Sequence, residues 1–271
     1  MQALLKGEDW PFVKSDFLLY AAQDKFVGVG VYLEDQLVAF FNIHDFGSLA
    51  YLCMIIVHPD HRSKNIVLMM WGAINKKMVE HGFTGFVAHC TKTSLPAALR
   101  YGAVKADKSF GLLVRHASAS SPPPATPEGL QEHELASLID MDAKYFGLRR
   151  ASWLMALYRQ DSSEFVVLRQ GAAIVAFAIL RDRADSAKVI DVLCYSEPQQ
   201  LERLMGKVFS QFSHRALHCF VAAGSLLEKF LIQNRFYEPS FYQSIGPMME
   251  IRFAAAVDLP IGRDIQTLQW L

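Results

Sequence analysis

The sequence predicts an α/β protein made of two tandem domains, each with a central mixed, mostly antiparallel sheet flanked by helices. Three observations lead to this fold class. The 271 residues are 52% hydrophobic, which is enough for two separate cores. The segment SASSPPPAT at 118–126 excludes a helix and is typical of a linker. On both sides of it, antiparallel hairpins are followed by strand–helix–strand units in the same order.

The first domain is predicted over residues 1–117. Glu34 and Asp35 mark a turn between two apolar segments, and the apolar run LAYLCMIIV predicts a buried strand. In the helix that follows, apolar residues recur at every fourth position, and Gly82 supplies the C-terminal cap. The predicted elements are, in order, a helix over 9–23, strands over 25–33, 36–43 and 49–57, a helix over 62–81, a strand over 83–89, a short helix from Ser94 and a strand over 109–115.

The linker is predicted over 118–127 and the second domain over 128–271. A local repeat indicates duplication, because Val38-Ala39-Phe40 in the first domain matches Val175-Ala176-Phe177 in the second. The first domain lacks part of what opens the second, so it is either truncated or completed by its neighbour. The predicted elements are helices over 129–146 and 152–160, strands over 164–169, 172–180 and 188–195, a helix over 198–212, a strand over 216–223, a helix over 225–234 and a strand over 244–253.

Composition excludes several classes of protein. Lys and Arg together number 27, as do Asp and Glu, so charge gives no basis for binding nucleic acid or an anionic membrane. The longest apolar run has nine residues, far below the ~20 that a membrane helix needs, and no basic-then-apolar leader is visible. The four cysteines are widely spaced in apolar segments, which is typical of buried thiols in a reducing compartment. We therefore expect a cytoplasmic protein without a metal.

One strand-to-helix junction carries a family resemblance. The segment IIVHPDHRSKNIVLMM, 55–70, resembles the acetyl-CoA-binding junction V-x-P-x-x-R-G-x-G-I-G-x-x-L of the GNAT superfamily of N-acetyltransferases. The resemblance extends over the chain to a two-domain group whose second domain is degenerate, and it implies acetyl-CoA as co-substrate. Converging N–H groups and the dipole of a helix start suit a pyrophosphate. The residues that the resemblance assigns to the pantetheine arm and the phosphates are Met54, Ile55, Ile56, Val57, Arg62, Ser63, Lys64, Asn65, Ile66 and Val67.

The junction departs from the family pattern at its glycines. Ser63, Asn65 and Val67 stand where glycine would let the backbone approach a phosphate, while Arg62 and Ile66 keep the pattern. Asn tolerates positive φ, but a branched valine does not favour close approach. The junction is therefore either an altered phosphate loop or only a helix start. The matching second-domain segment, SEPQQLERL, has neither glycine nor arginine.

The catalytic residues are less clearly marked. Many members protonate the departing thiolate with a tyrosine, but the matching position here is Ala98, and Tyr101 lies three residues further on a nearby helix face. The candidates for the base that deprotonates the acceptor amine are His44, Asp45 and His89, of which His89 occupies a position where relatives often have aspartate. The alternatives are a packing role for Tyr101 and ordinary core or loop roles for the others.

Three functions follow from these patterns. The first is N-acetyl transfer from acetyl-CoA to an amine of a small molecule or a protein. The second is a catalytically silent GNAT-like protein that binds a metabolite or a partner, which the lost glycines favour. The third is a transferase that uses another activated donor, such as an aminoacyl carrier. The sequence predicts no nucleic-acid partner, and an exposed sheet edge would favour a homodimer.

Overall fold

The computed structural model describes residue 4 and residues 14–23, 25–62, 66–91, 94–100, 103–118, 129–147, 149–182, 187–239 and 248–253. Its strands are β1 (Val27–Leu33), β2 (Gln36–Phe46), β3 (Leu49–Val57), β4 (Gly85–Cys90), β5 (Ala103–Arg115), β6 (Ser163–Gln170), β7 (Ala173–Asp182), β8 (Lys188–Cys194), β9 (Leu217–Ala222) and β10 (Met248–Phe253). Its helices are α1 (Lys14–Ala21), α2 (Ile66–Glu80), α3 (Leu95–Arg100), α4 (Leu135–Phe146), α5 (Ala151–Tyr158), α6 (Pro198–Phe212) and α7 (Leu226–Gln233).

All of these strands join one sheet, in the order β1-β2-β3-β4-β10-β5-β9-β8-β7-β6. Only the β3–β4 and β8–β9 pairs are parallel; every other neighbouring pair is antiparallel. The two parallel pairs are each bridged by a 15-residue helix, α2 in the first half and α6 in the second. The predicted fold class, an α/β protein with a mixed and mostly antiparallel sheet, is confirmed.

The strand order is symmetric about the β10–β5 pair. β5 follows the first half in sequence but pairs with β9 of the second half, whereas β10 follows the second half and pairs with β4 of the first. The two halves therefore exchange their last strands, and the first half is completed by its neighbour. The predicted linker lies outside the described residues except for Ser118, whose N–H donates to the Ser213 carbonyl at 2.7 Å. The boundaries at 117 and 128 stay predictions.

Three groups of buried side chains hold the layers together. A first-half core lies between β1–β4 and α2, and a second-half core lies between β5–β9 and helices α6 and α7. A shared core combines side chains of α1, β2 and β3 with side chains of α4, α5 and strands β6–β8. Helix α1 packs against α5, and α5 against β2, so the first half is covered on this face by helices from both halves. No described helix has the length and hydropathy needed to cross a membrane.

Several predicted boundaries change. The helix placed over 62–81 is described over Ile66–Glu80, and Arg62 lies outside it in extended geometry, with φ −63° and ψ 150°, after the 3-10 turn Pro59–His61. The strand placed over 109–115 begins at Ala103, because β10 pairs with residues 103–105, whereas β9 pairs with Phe110–Arg115. The helix placed over 129–146 begins at Leu135 after the 3-10 turn Glu132–Glu134. The strand over 49–57 and the helix over 198–212 have the predicted bounds.

Candidate active site

The first half contains a wedge-shaped opening between β3 and β4. The two strands pair in parallel from Leu49 opposite Gly85 to Leu52 opposite Ala88. Beyond that point β3 continues along β2 to Val57, while β4 continues along β10. The main-chain groups of residues 53–57 that face β4 therefore have no ladder partner in it. We call this place, where β3 and β4 part after Leu52 and Ala88, the opening.

A β-bulge lies at the mouth of this opening. The β2–β3 register shifts between Phe40, opposite Ile56, and Asn42, opposite Cys53. Met54, in the bulge, has φ +54°, a left-handed conformation that is costly for a residue with a side chain. The side chain of Met54 is buried, whereas Ile55 is 37% exposed in a strand that is otherwise buried. The bulge thus breaks the regular alternation of β3 where the strands part.

Of the residues predicted to hold the phosphates at the junction after β3, the structure describes Arg62, Ile66 and Val67. The exposed Arg62 folds back, and its Nε donates to the Val57 carbonyl at 3.0 Å. Ser63, Lys64 and Asn65 lie outside the described residues. Ile66 is buried, and Val67 packs partly buried against the first-half core. The valine side chain that replaces a family glycine is therefore used in packing.

His89, a predicted candidate for the base, has a hydrogen-bond partner that the sequence does not predict. His89 immediately follows the last β3–β4 pair, and its Nδ1 lies 2.7 Å from the Tyr51 hydroxyl. Its Nε2 is shielded from solvent and has no hydrogen-bond partner among the described residues. Burial lowers the pKa of His89 to about 3, so the imidazole is neutral at physiological pH. A period-two reading of β3 could have placed Tyr51 on this face, but not opposite His89.

The other predicted catalytic residues that the structure describes, Asp45 and His44, have hydrogen-bond partners of their own. Asp45 lies at the β2–β3 turn, where its Oδ1 accepts the Gly47 N–H at 2.9 Å. This contact gives the carboxylate a role in closing the turn. Tyr101 lies outside the described residues, and Ala98 packs against the first-half core. His44 is fully buried, and burial lowers its pKa to about 3.

His44 belongs to a chain of buried polar side chains that ends at the bulge. The Gln23 amide lies 2.8 Å from His44 Nδ1, and His44 Nε2 lies 3.0 Å from the Cys53 sulfur. The Cys53 thiol donates to Asn42 Oδ1 at 2.6 Å, and Asn42 Nδ2 donates to the Met54 sulfur at 3.4 Å. Burial raises the pKa of Cys53 well above its ordinary value, so the residue is a thiol. The order of donors and acceptors is consistent along the whole chain.

In the second half the parallel strands part in a similar way, but the junction that follows carries an acidic residue. β8 and β9 pair in parallel only from Lys188 to Ile190 on β8. At the start of α6, the N–H and the hydroxyl of Ser196 both bond the Gln200 side chain at 2.9 Å, and Glu197 is the N-cap residue. An acidic side chain at the N-cap disfavours an anion at this helix start. No group of described His, Cys, Asp or Glu side chains in either half could hold a metal ion.

Comparison with known families finds a match in the first half of the chain. Residues 4–102 match the model of the acetyltransferase (GNAT) family. This match lies in the first half of the chain and includes residues 55–70, where the sequence resembles the GNAT junction. No curated protein sequence matches the chain.

Solved structures extend the similarity to the whole chain. A putative acetyltransferase from Pyrococcus horikoshii superposes with a TM-score of 0.76 at 12% identity, covering 99% of this chain and 89% of its own. A tandem GNAT protein from the clavulanic acid biosynthesis pathway has a TM-score of 0.62 at 14% identity, covering 94% and 93%. A GCN5-related N-acetyltransferase from Sphaerobacter thermophilus has a TM-score of 0.53 at 15% identity, covering 92% and 89%. At these identities the likeness concerns the fold.

Proposed function

We propose that the chain is an N-acetyltransferase that transfers an acetyl group from acetyl-CoA to an amine, in the opening between β3 and β4. The observation that carries this proposal is the parting of the two strands after Leu52 and Ala88, directly before the bulge at Met54. It leaves strand-edge donors and acceptors at one end of a polar chain and beside His89. The helix start at the second-half junction carries the acidic Glu197 as its N-cap, which disfavours a phosphate there, so we assign the reaction to the first half.

The first half suits the pantetheine arm of acetyl-CoA. An extended amide chain can pair with the free edge of residues 53–57, in the manner of an added strand. Ile55, exposed on this strand, would contact it, and Arg62 would stand at the phosphate end. The Val67 side chain packs against the first-half core, so we do not assign it to the phosphates. Ser63, Lys64 and Asn65 remain the proposed phosphate contacts.

His89 would orient the acceptor amine. With its proton on Nδ1, donated to the Tyr51 oxygen, Nε2 carries the lone pair, and the acceptor amine would bond it by entering the shielded position beside this nitrogen. A pKa near 3 makes this imidazole a hydrogen-bond acceptor that stays neutral, not a strong base. In the transfer, the amine nitrogen bonds to the thioester carbon as the carbon–sulfur bond breaks. The amine loses one proton and the thiolate takes up one, for which Tyr101 remains the proposed donor.

Binding of acetyl-CoA is the first test. At 100 times Kd, a ligand that binds only the folded chain stabilises it by about 2.7 kcal/mol, which raises the melting temperature by roughly 5–10 °C for a chain of this size. Arg62→Glu should remove this shift, because it places a carboxylate at the phosphate end. Arg203→Glu makes the same charge change on the exposed face of α6 and should keep the shift.

Turnover is the second test, measured as thiol release from acetyl-CoA in the presence of small amines and peptide amines. Binding together with release supports the transferase. Binding without release by any amine supports the catalytically silent alternative. An unchanged melting temperature with acetyl-CoA, coenzyme A and longer acyl-CoAs would overturn the proposed function and favour a different donor. We also propose that the acceptor is an amine of a small molecule or a protein, that the chain forms a homodimer, and that it is cytoplasmic.

A further inference from the structure

Helix α1 lies in the first half by sequence but is anchored in the second. Asp16 Oδ1 lies 2.5 Å from Nη1 of Arg181 on β7, and both side chains are 1% exposed. Arg181 also bonds both carboxylate oxygens of Asp191 on β8. Two carboxylates thus hold one guanidinium in the shared core. Such a group is stable when buried only with good geometry and full hydrogen bonding.

The other end of the same helix contacts the polar chain of the candidate active site. The Tyr20 ring packs edge-on against the His44 imidazole, with centroids 4.4 Å apart. Gln23, two residues after α1, bonds His44 Nδ1. From His44 the contacts continue through Cys53 and Asn42 to the Met54 sulfur, at the bulge beside the opening. A continuous series of buried contacts therefore joins β7 of the second half to the bulge of the first.

We propose that Arg181 and Asp16 are positioning residues for the acetyl-CoA site of the first half. By holding α1, the second half fixes His44 and, through the polar chain, the strained backbone at Met54 that borders the opening. The second half thereby serves the reaction as a scaffold and needs no cofactor of its own. This inference rests on the proposed function, because it assigns to the opening the binding of acetyl-CoA.

The ion pair between Asp16 and Arg181 can be removed without leaving Arg181 unpaired. Replacing Asp16 by leucine leaves Arg181 paired with Asp191 as a neutral unit, so the anchor is cut without an unpaired buried charge. Replacing Gln23 by leucine cuts the same series of contacts at its other end. If the series acts as one unit, the two changes should not add, because either one alone disconnects β7 from the bulge.

The experiment is a double-mutant cycle on the full chain, with acetyl-CoA affinity measured by titration calorimetry. We expect Asp16→Leu and Gln23→Leu each to weaken binding by about tenfold, and the double variant to bind no more than about tenfold more weakly than wild type. Hydrogen exchange of the free protein supplies a ligand-independent measurement. Both single variants should speed exchange of the amides of residues 53–57, which lie far from Asp16 in sequence.

Val208→Ala is the matched control, because it opens a cavity in the second-half core without touching α1. It should lower stability yet leave both the affinity and the exchange of residues 53–57 unchanged. Arg181→Lys should retain more affinity than Arg181→Met, since it keeps the charge. Additive effects, or equal effects of Val208→Ala at matched stability, would overturn the inference. If wild type fails to bind acetyl-CoA, the proposed function falls, and the exchange measurement alone decides whether α1 positions the bulge.

Discussion

In a strand, an alanine variant is usually more stable than a glycine variant. The left-handed backbone at Met54 predicts the reverse order of stability at this position. Both Met54→Ala and Met54→Gly delete the same buried thioether and the same acceptor of the Asn42 amide, so these losses cancel between the variants. An L-residue at φ +54° costs about 1–2 kcal/mol, which alanine keeps and glycine avoids. Glycine loses about 0.5–1 kcal/mol in strand entropy. The difference should therefore favour glycine by about 0.5–1 kcal/mol.

Equilibrium unfolding in urea measures this difference as a shift in midpoint. Ile56→Ala and Ile56→Gly form the control pair, because Ile56 is also buried on β3 but pairs regularly with Phe40. There the order should be the ordinary one, with glycine less stable by about 0.5–1 kcal/mol. If Met54→Gly unfolds at lower urea than Met54→Ala, the bulge is not strained as described, and the proposed opening loses its main structural cause.

Two further predictions concern buried charge and pH. The Arg150–Asp142 pair is 2–3% exposed, whereas the neighbouring Arg149–Asp140 pair is 64–66% exposed; Asp142→Asn should destabilise by about 3–5 kcal/mol, while Asp140→Asn should have little effect in the same urea titration. Burial lowers the pKa values of His44 and His89 to about 3, so below the unfolded-state value near 6.5 only the unfolded chain binds these protons. Stability should fall as pH drops from 6.5 to 5, and His89→Gln should reduce the slope by about 1.4 kcal/mol per pH unit; an unchanged slope would contradict the buried neutral imidazole.

The sequence predicts those elements whose pattern is local. β3 is apolar at every position, and α6 has a proline in its first turn and a clear apolar periodicity, so their bounds follow directly. β5 shows the opposite case. Its first residues, 103–108, include charged side chains, and they form a strand because β10, more than 130 residues later, pairs with them. Such long-range pairing leaves no periodic signal in either segment.

The candidate site follows the same rule. The V-x-P-x-x-R pattern at Val57, Pro59 and Arg62 identifies the junction, because it is a contiguous motif. The contact of Tyr51 with His89 joins neighbouring strands, and it depends on register. The polar chain from Gln23 to Met54 requires α1 to lie against β2, which single-sequence patterns do not specify. Sequence patterns therefore do not predict these contacts, although the residues that make them can be read in the sequence.

The two halves carry polar pairs at equivalent positions, which supports duplication more strongly than the repeated Val-Ala-Phe. His44 lies four residues after Phe40, and Arg181 lies four residues after Phe177. His44 stands opposite Tyr51 in the ladder, two positions before its hydrogen-bond partner Cys53. Arg181 stands opposite Val189, two positions before its ion-pair partner Asp191. The neutral pair lies on the first half beside the opening, whereas the ionic pair lies on the second half and anchors α1. A neutral pair beside the strand edge leaves no fixed charge to compete with a thioester for those donors. Under the proposed function, divergence at these two equivalent positions separates the half with the acetyl-CoA site from the half that anchors helix α1.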